Sequence, residues 1–278
     1  MYRISTSSIA LFLHDPEDGF YLGTRFDRSG VFDSILLDSA EIAGRWFERY
    51  DPYMHDAVCG PSEEFFPVFL DRGVVKIGIG LLHVPDVSEY DRFKLYDVVD
   101  SGEWNCFHDE ERVTFRHVLK GVYEYEKVIA LTGEKSFEIR HTLRSDIELS
   151  GEMYNHNFFT LGKMEVGPSR EIDFPFKPDG TWRAVYSSVG FTGSGIRFAR
   201  PLVKGESVFT GNIHESAAGM PYDMTIREEG VSVRIRSDVR CTHTVLWANH
   251  RIACLEPYND FASAPGKECT WTVRYDFQ

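Results

Sequence analysis

The sequence predicts an all-β protein in which antiparallel sheets form one large sandwich. Apolar and polar residues alternate with a period of two over residues 113–119, 123–131, 137–143 and 231–235. This alternation is typical of strands that have one buried and one wetter face. Turn residues such as Lys120-Gly121 and Thr132-Gly133-Glu134 separate the runs at spacings that favour hairpins. Strand patterns do not alternate with helical ones, which disfavours a doubly wound parallel sheet.

The other segments predict a first strand and one candidate helix. A short apolar patch near the start of the chain ends at Asp15 without a small-residue cleavage site, so we expect a strand there rather than a signal peptide. Residues 39–50 fit a helix loosely, because apolar side chains recur in them at helical spacing. No linker, repeat or low-complexity tract divides the chain, and we therefore predict a single domain over residues 1–278.

Charge and composition exclude several classes of function. The 278 residues include 43 acidic and 30 basic side chains, a formal net charge of −13, and no basic run. Nucleic acid requires a basic surface and an anionic membrane repels an acidic protein, so we expect neither partner. The same charge disfavours a strongly anionic substrate and favours a neutral one. Hydrophobic residues make up 42% of the chain, enough for a sizeable core, which excludes global disorder.

Cysteine spacing and the absence of common motifs disfavour a zinc site and several classes of enzyme. The five scattered cysteines contain no CxxC pair, which disfavours a zinc site and predicts reduced thiols in a cytoplasmic protein. No apolar run is long enough for a transmembrane helix. The GxGxxG, P-loop, GxSxG and HExxH motifs are absent, which disfavours nucleotide-dependent enzymes, α/β-hydrolases and zincin proteases.

Polar residues interrupt a strand-like apolar run at Asn155, His156 and Asn157. Buried amide and imidazole groups need hydrogen-bond partners or a ligand. The pattern alone favours a satisfied core histidine over a binding site, and both interpretations stay open.

A carboxylate, Glu256, ends a second apolar run directly before Pro257. A glutamate among apolar residues can have a raised pKa, which suits a general base. The pattern alone favours a strand-end glutamate that points to water, and both interpretations stay open.

Two further segments offer candidate contacts for a ligand. The pair Gly60-Pro61 predicts a turn that presents Glu63 and Glu64 beside aromatic residues, an arrangement that suits either sugar hydroxyls or a solvated loop. Arg25 and Asp27 lie two residues apart, so on a strand they would share a face and form an ion pair or a substrate clamp.

Three segments together resemble a known family. They are Asn155-His156-Asn157-Phe158-Phe159-Thr160-Leu161, Cys254-Leu255-Glu256-Pro257, and the ending from Ala264-Pro265-Gly266 to Phe277. The first is similar to the Asn-His-Ser-Tyr-Phe-Asn-Leu segment of the aldose 1-epimerase (galactose mutarotase-like) superfamily. The resemblance covers nearly the whole chain. The family's early Gly-Arg-x-Ala-Asn-Arg and His-Gly-Gly segments are missing, which indicates a divergent branch.

The resemblance implies a galactose mutarotase-like sandwich and an enzyme that interconverts α and β anomers of a sugar. In that family the residue matching His156 is the general acid and the residue matching Glu256 is the general base. We expect the two to face each other across one cleft, separated by about the width of a sugar ring. The candidate substrate contacts are Asn155, Arg25, His55, Glu63, Glu64 and Tyr258.

The implied chemistry needs no metal and no organic cofactor, and the expected partner is a small-molecule sugar or the end of a glycan. The alternative from another class is a carbohydrate-binding sandwich without catalysis. A polysaccharide lyase or hydrolase is a third hypothesis, disfavoured because nothing in the sequence pairs two carboxylates. The sequence makes no prediction of the oligomeric state.

Overall fold

The computed structural model describes residues 1–163, 165–185, 189–213 and 221–278. The regular structure of these residues consists of strands, apart from one turn of 3-10 helix at Val87–Glu89. The all-β prediction is therefore confirmed. None of the described segments forms a helix that is long and apolar enough to cross a membrane. All five cysteines are free thiols, as their spacing predicts.

Two large sheets form the body of the protein. The first has ten strands, in the order β10 (Glu103–His108), β11 (Arg112–Leu119), β12 (Tyr123–Gly133), β13 (Ser136–Ser145), β24 (Glu268–Phe277), β21 (Val231–Arg240), β20 (Pro221–Glu228), β15 (Glu171–Asp173), β18 (Gly195–Phe198) and β17 (Val189–Thr192). The second has six, in the order β16 (Trp182–Ala184), β19 (Ser207–Thr210), β22 (His243–Asn249), β23 (Ala253–Ser263), β14 (Leu149–Phe158) and β5 (Gly60–Phe65). The four runs predicted from alternation are β11, β12, β13 and β21.

Two smaller sheets have four strands each. One contains β1 (Tyr2–Ser5), β2 (Ile9–Leu13), β3 (Phe32–Leu37) and β4 (Ala40–Ala43). The other contains β6 (Val68–Leu70), β7 (Gly73–Lys76), β8 (Gly80–His83) and β9 (Asp97–Asp100). Neighbouring strands pair antiparallel in all four sheets.

The main hydrophobic core lies between the two large sheets. Phe65 of β5 contacts Tyr125 of β12 and Trp271 of β24, with ring centroids 5.4 and 6.0 Å apart. All three side chains are buried, and they belong to one cluster that draws residues from both sheets. The structure is therefore the antiparallel sandwich that the alternation predicts.

Residues 39–50 form no helix, so the helix prediction is wrong. Asp38 and Ser39 adopt positive φ angles of 47° and 70° and form a tight turn between β3 and β4. Two-residue turns with positive φ suit the twist of a hairpin. The later apolar residues pack in a loop, where Trp46 is buried and its indole N–H donates to Val58 O at 3.0 Å.

Two other local predictions are also corrected. The pair Gly60-Pro61 begins strand β5 rather than a turn, and Pro61 is tolerated because β5 is an edge strand of its sheet. Residues 23–27 form no strand. Arg25 does not pair with Asp27 there, since it binds Glu64 instead.

Candidate functional site

A cavity of about 380 Å³ lies against the six-stranded sheet. Side chains from one face of β14, β23, β22 and β19 reach it, since successive side chains of a strand point to opposite faces. Its volume falls within the roughly 300–1,000 Å³ typical of small-molecule sites. The lining residues are Arg25, His55, Asp56, Arg92, Phe93, His156, Phe158, Ala184, Ser207, Phe209, Trp247 and Glu256.

His156 and Glu256 meet directly in this cavity. The imidazole Nε2 lies 3.1 Å from the carboxylate Oε1, and each side chain is 4% exposed. The sequence therefore predicts correctly that the two residues share one cleft. The expected separation by the width of a sugar ring is wrong, because the two groups are in hydrogen-bond contact.

The backbone explains why these two side chains have room for a cleft. Strands β14 and β23 pair only as far as Tyr154 and Tyr258. Tyr258 O accepts from the N–H of Thr242, the residue directly before β22. The backbone of the preceding residue, Pro257, therefore faces β14, where it has no N–H to donate. The pairing between the two strands therefore ends at Pro257, directly beside Glu256.

The side-chain amide of Asn157 bridges the gap that follows. Its Nδ2 donates to Asn155 O at 3.2 Å and to Leu255 O at 2.9 Å, two carbonyl groups beyond the end of the pairing. Its Oδ1 accepts from the Tyr275 hydroxyl of the ten-stranded sheet at 3.1 Å. This buried amide thus sets the spacing between the two strands that carry His156 and Glu256.

Aromatic rings hold the His156 imidazole in place. It stacks on Phe158 with centroids 3.9 Å apart and planes 2° from parallel, and the edges of Phe26 and Trp247 approach at 5.9 Å. Among the described residues, nothing hydrogen bonds to its buried Nδ1. Burial lowers the pKa of His156 well below its usual value, and the positive charges of Arg25 and Arg92 lower it further. The imidazole is consequently neutral at pH 7.

Glu256 occupies an environment that favours its protonated form. Burial raises the pKa of its carboxyl to about 7, against the opposing positive charges of Arg25 and Arg92. The Tyr258 hydroxyl donates to its Oε2 at 3.3 Å, and the Tyr258 ring stacks on Tyr154 at 4.4 Å. A carboxyl group with a pKa near 7 can both accept and donate a proton at neutral pH.

A second buried cluster borders the cavity and centres on Glu64. Its carboxylate lies 2.6 Å from Arg25 Nε, 3.5 Å from Arg92 Nε and 3.6 Å from Lys76 Nζ. Burial by itself would raise the pKa of Glu64, but the charges of Lys76, Arg25 and Arg92 outweigh it and hold that pKa below its usual value. Both arginines also donate to the Tyr154 hydroxyl, at 2.7 and 2.8 Å.

The structure brings together most of the predicted site residues. His156, Glu256, Arg25 and His55 line the cavity, and Glu64 and Tyr258 hold lining residues through the contacts above. The His55 ring lies edge-on to Phe93, with centroids 5.2 Å apart.

Glu63 and Asn155 do not reach the cavity, because they point to the opposite face of their strands. Asn155 Nδ2 donates to Glu63 Oε1 at 3.1 Å, and its Oδ1 accepts from the Tyr222 hydroxyl at 3.2 Å. Glu63 also binds Lys127 of the ten-stranded sheet. Both residues therefore belong to a polar network inside the sandwich and lie away from the cavity, contrary to their predicted place in the site.

Sequence reasoning missed several residues of the cavity. Arg92 and Phe93 lie in an irregular segment between the 3-10 turn and β9, where no periodic pattern marks them. Phe209 and Ser207 are alternate residues of the short strand β19, and its pairing with β22 places Phe209 beside Trp247. No group of three or more potential metal ligands occurs among the described residues.

Comparison with solved structures decides the fold. A galactose mutarotase related enzyme from Lactobacillus acidophilus aligns with a TM-score of 0.59 at 10% identity, over 100% of this chain and 97% of that chain. A galactose mutarotase-like protein from Lactobacillus casei gives a TM-score of 0.57 at 12% identity, over 100% of both chains. This chain has the galactose mutarotase-like fold. Galactose 1-epimerase from Lactobacillus acidophilus is also similar, with a TM-score of 0.54 at 10% identity over 99% of this chain and 92% of that one.

The galactose mutarotase-like fold confirms the fold that the resemblance of the three segments implies. No protein-family model matches the chain, and no curated protein matches it in sequence. Identities of 10 and 12% to these structures agree with a divergent branch. At this distance the likeness extends to the fold alone, and the chemistry has to be argued from the cavity.

Proposed function

We propose that the protein is an aldose 1-epimerase-like enzyme, which interconverts the α and β anomers of a sugar. The observation that carries the proposal is the contact of His156 Nε2 with Glu256 Oε1 at 3.1 Å inside the cavity. Aromatic side chains, among them Phe93 and Trp247, offer apolar faces to the C–H groups of a sugar.

The reaction needs one base and one acid that act on neighbouring oxygens. Glu256 removes the proton from O1 while His156 gives a proton to the ring oxygen, so the bond between C1 and the ring oxygen breaks and an aldehyde forms at C1. Rotation about the C1–C2 bond turns the carbonyl, and the reverse transfers close the ring as the other anomer. Both oxygens are attached to the same carbon, which is why an acid and a base in mutual contact can serve both.

His156 and Glu256 together hold the number of titratable protons that ring opening requires. With the pKa of Glu256 near 7 and that of His156 well below its usual value, the pair holds one proton at slightly acid pH. The pKa order places that proton on the carboxyl of Glu256. It has to pass to His156 before His156 can act as the acid and Glu256 as the base. The two states hold the same number of protons, so the transfer along a 3.1 Å contact needs no exchange with solvent.

The test is anomer exchange measured by NMR. Pure α-anomers of a panel of sugars are dissolved with the wild type, with Glu256→Gln and with the matched control Glu111→Gln, which changes an exposed glutamate. We expect the wild type and the control to accelerate exchange equally. Glu256→Gln should be slower by about 10²- to 10⁴-fold, the contribution typical of general acid–base catalysis.

The alternative function predicts a different outcome of the same experiment. A carbohydrate-binding protein without catalysis would bind sugars saturably, would accelerate no exchange, and would lose little affinity in Glu256→Gln. That outcome, or full activity in Glu256→Gln, would contradict the proposed enzyme.

A further inference from the structure

Positive charge exceeds negative charge in the Glu64 cluster. Three cations, Arg25, Arg92 and Lys76, surround this one carboxylate. Burial lowers the pKa of Lys76 to about 8, which still leaves its amine protonated at pH 7. One carboxylate cannot neutralise three cations, and charges that stay unpaired away from water are costly.

The two arginines of this cluster present their charge to the cavity. The Arg25 and Arg92 side chains are 7% and 22% exposed, and both line the cavity, whereas Lys76 is fully buried behind them. The buried Nε of Arg92 has no hydrogen-bond partner among the described residues. Besides Glu64, Arg25 and Arg92 share the hydroxyl of Tyr154 as a partner. This hydroxyl is neutral and does not compensate their charge.

The acids of the cavity wall balance the charge of the arginines only in part. Glu256 is in contact with His156. Asp56 lies 3.8 Å from the imidazole of His55. Among the described lining residues, Asp56 and Glu256 are the only acids. A Glu256 carboxyl with a pKa of about 7 is only partly ionised at neutral pH, so these acids and Glu64 balance Arg25, Arg92 and Lys76 only in part.

We propose that the sugar bound in this cavity carries an oxyanion, a carboxylate or a phosphate, and that Arg25 and Arg92 bind it. The inference rests on the proposed function in that it takes the ligand to be a sugar. Guanidinium groups are well suited to both anions because their N–H donors match two oxygens at once. The substrate class thus differs from the neutral sugar that the net charge favours.

The placement of the arginines fits a sugar that spans the site. Tyr154, to which both arginines donate, precedes His156 by two residues on the same face of β14. Two residues of a strand span about 7 Å. An anionic substituent held by the arginines therefore lies about this far along the strand from an anomeric carbon held at His156 and Glu256.

Binding calorimetry on the wild type provides the first test. The probes are glucose, glucuronate and glucose 6-phosphate, and the corresponding three sugars of the galactose series, each at low and high salt. We expect at least one anionic sugar to bind tenfold or more tightly than its neutral counterpart, with affinity that falls as salt rises. The carboxylate and phosphate members show which oxyanion the site prefers.

Variants of Arg92 test whether this side chain binds the anionic substituent of the sugar. Arg92→Gln should weaken binding of the preferred anionic sugar by about 10- to 100-fold and leave a neutral sugar unaffected. Arg92→Lys should recover part of the loss, because it keeps the charge without the forked donors. Arg112→Gln, which removes an exposed arginine charge elsewhere, is the matched control and should change nothing.

The outcomes separate this inference from the proposed enzyme. Equal affinity for neutral and anionic sugars, or an equal loss for both in Arg92→Gln, would overturn the anionic substrate, even if anomer exchange is catalysed. Arg92-dependent binding of an anionic sugar supports the inference, even if no sugar undergoes faster exchange. Thermal unfolding of each variant shows that the fold is intact.

Discussion

Lys127 of β12 and Glu63 of β5 form an ion pair across the core of the sandwich. The Lys127 amine also lies 3.5 Å from Asp27 and donates to Ser29 O at 2.8 Å. It therefore joins the ten-stranded sheet both to the sheet that carries the cavity and to the loop that carries Arg25. Its three partners are all buried.

Removal of this lysine should destabilise the protein strongly. Lys127→Met leaves the carboxylates of Glu63 and Asp27 buried without a cation, and breaking a buried pair in this way typically costs about 3–5 kcal/mol. Urea unfolding monitored by tryptophan fluorescence measures the effect. Lys120→Met, at an exposed turn position, is the control. A loss below about 1 kcal/mol would show that the pair contributes little to stability.

The bridging amide of Asn157 should matter to stability and to the site together. Asn157→Leu keeps the volume of the side chain but leaves the carbonyls of Asn155 and Leu255 without their donor, at a cost of about 1–3 kcal/mol. Because the same amide spaces the strands of His156 and Glu256, the rate of anomer exchange should fall in a variant that remains folded. Asn105→Leu, at an exposed position of β10, is the matched control. An unchanged rate would mean that the spacing does not depend on Asn157.

The acid–base pair predicts a pH profile for kcat/KM. Burial raises the pKa of Glu256 to about 7 and holds that of His156 well below its usual value. Above about pH 7 the pair loses its only proton, so kcat/KM should fall about tenfold per pH unit there. On the acid side it should stay level until well below pH 6.5, where His156 takes up a second proton. A rate that rises between pH 7 and 9 would contradict this assignment.

Buried histidines should make the fold sensitive to acid. Burial lowers the pKa of His117 to about 4, against about 6.5 in the unfolded chain. Between these pKa values, His117 is protonated in the unfolded state but neutral in the folded state. The free energy of unfolding therefore falls as the pH decreases. One such histidine lowers the free energy of unfolding by about 1.4 kcal/mol for each pH unit in this range. Unfolding measured from pH 7 to 5 should show a shallower loss in His117→Gln than in the wild type or in His83→Gln, which alters an exposed histidine.

The strands could be predicted because alternation is a local property of the chain. In β12, Tyr123, Tyr125 and Ile129 are buried while Glu124 and Glu126 are partly exposed, and this pattern is visible in the sequence. The error over residues 39–50 has an equally local cause. Asp38 and Ser39 adopt positive φ, which is unusual for residues other than glycine, so no standard turn signal marked the hairpin.

The site could be predicted only in part, because its charges come together through the fold. His156 and Glu256 stand out by resemblance to a family, and they do share the cavity. Asn155 and Glu63 lie next to His156 and Glu64 in sequence, yet alternation sends them to the opposite face. Arg92 reaches the cavity from an irregular segment without periodicity. A net charge of −13 describes the whole chain and gives no information on the local field of two arginines.

The position of β24 has a consequence for how the molecule folds. This strand lies between β13 and β21, so the ten-stranded sheet stays in two parts until residues 268–277 have inserted. The cavity depends likewise on β14 meeting β23, which is distant in sequence. Long-range pairings of this kind are formed slowly, because the entropy of loop closure is lost before the contacts are gained. We therefore expect slow folding, with β13 and β21 exposed as open edges to which other chains can add.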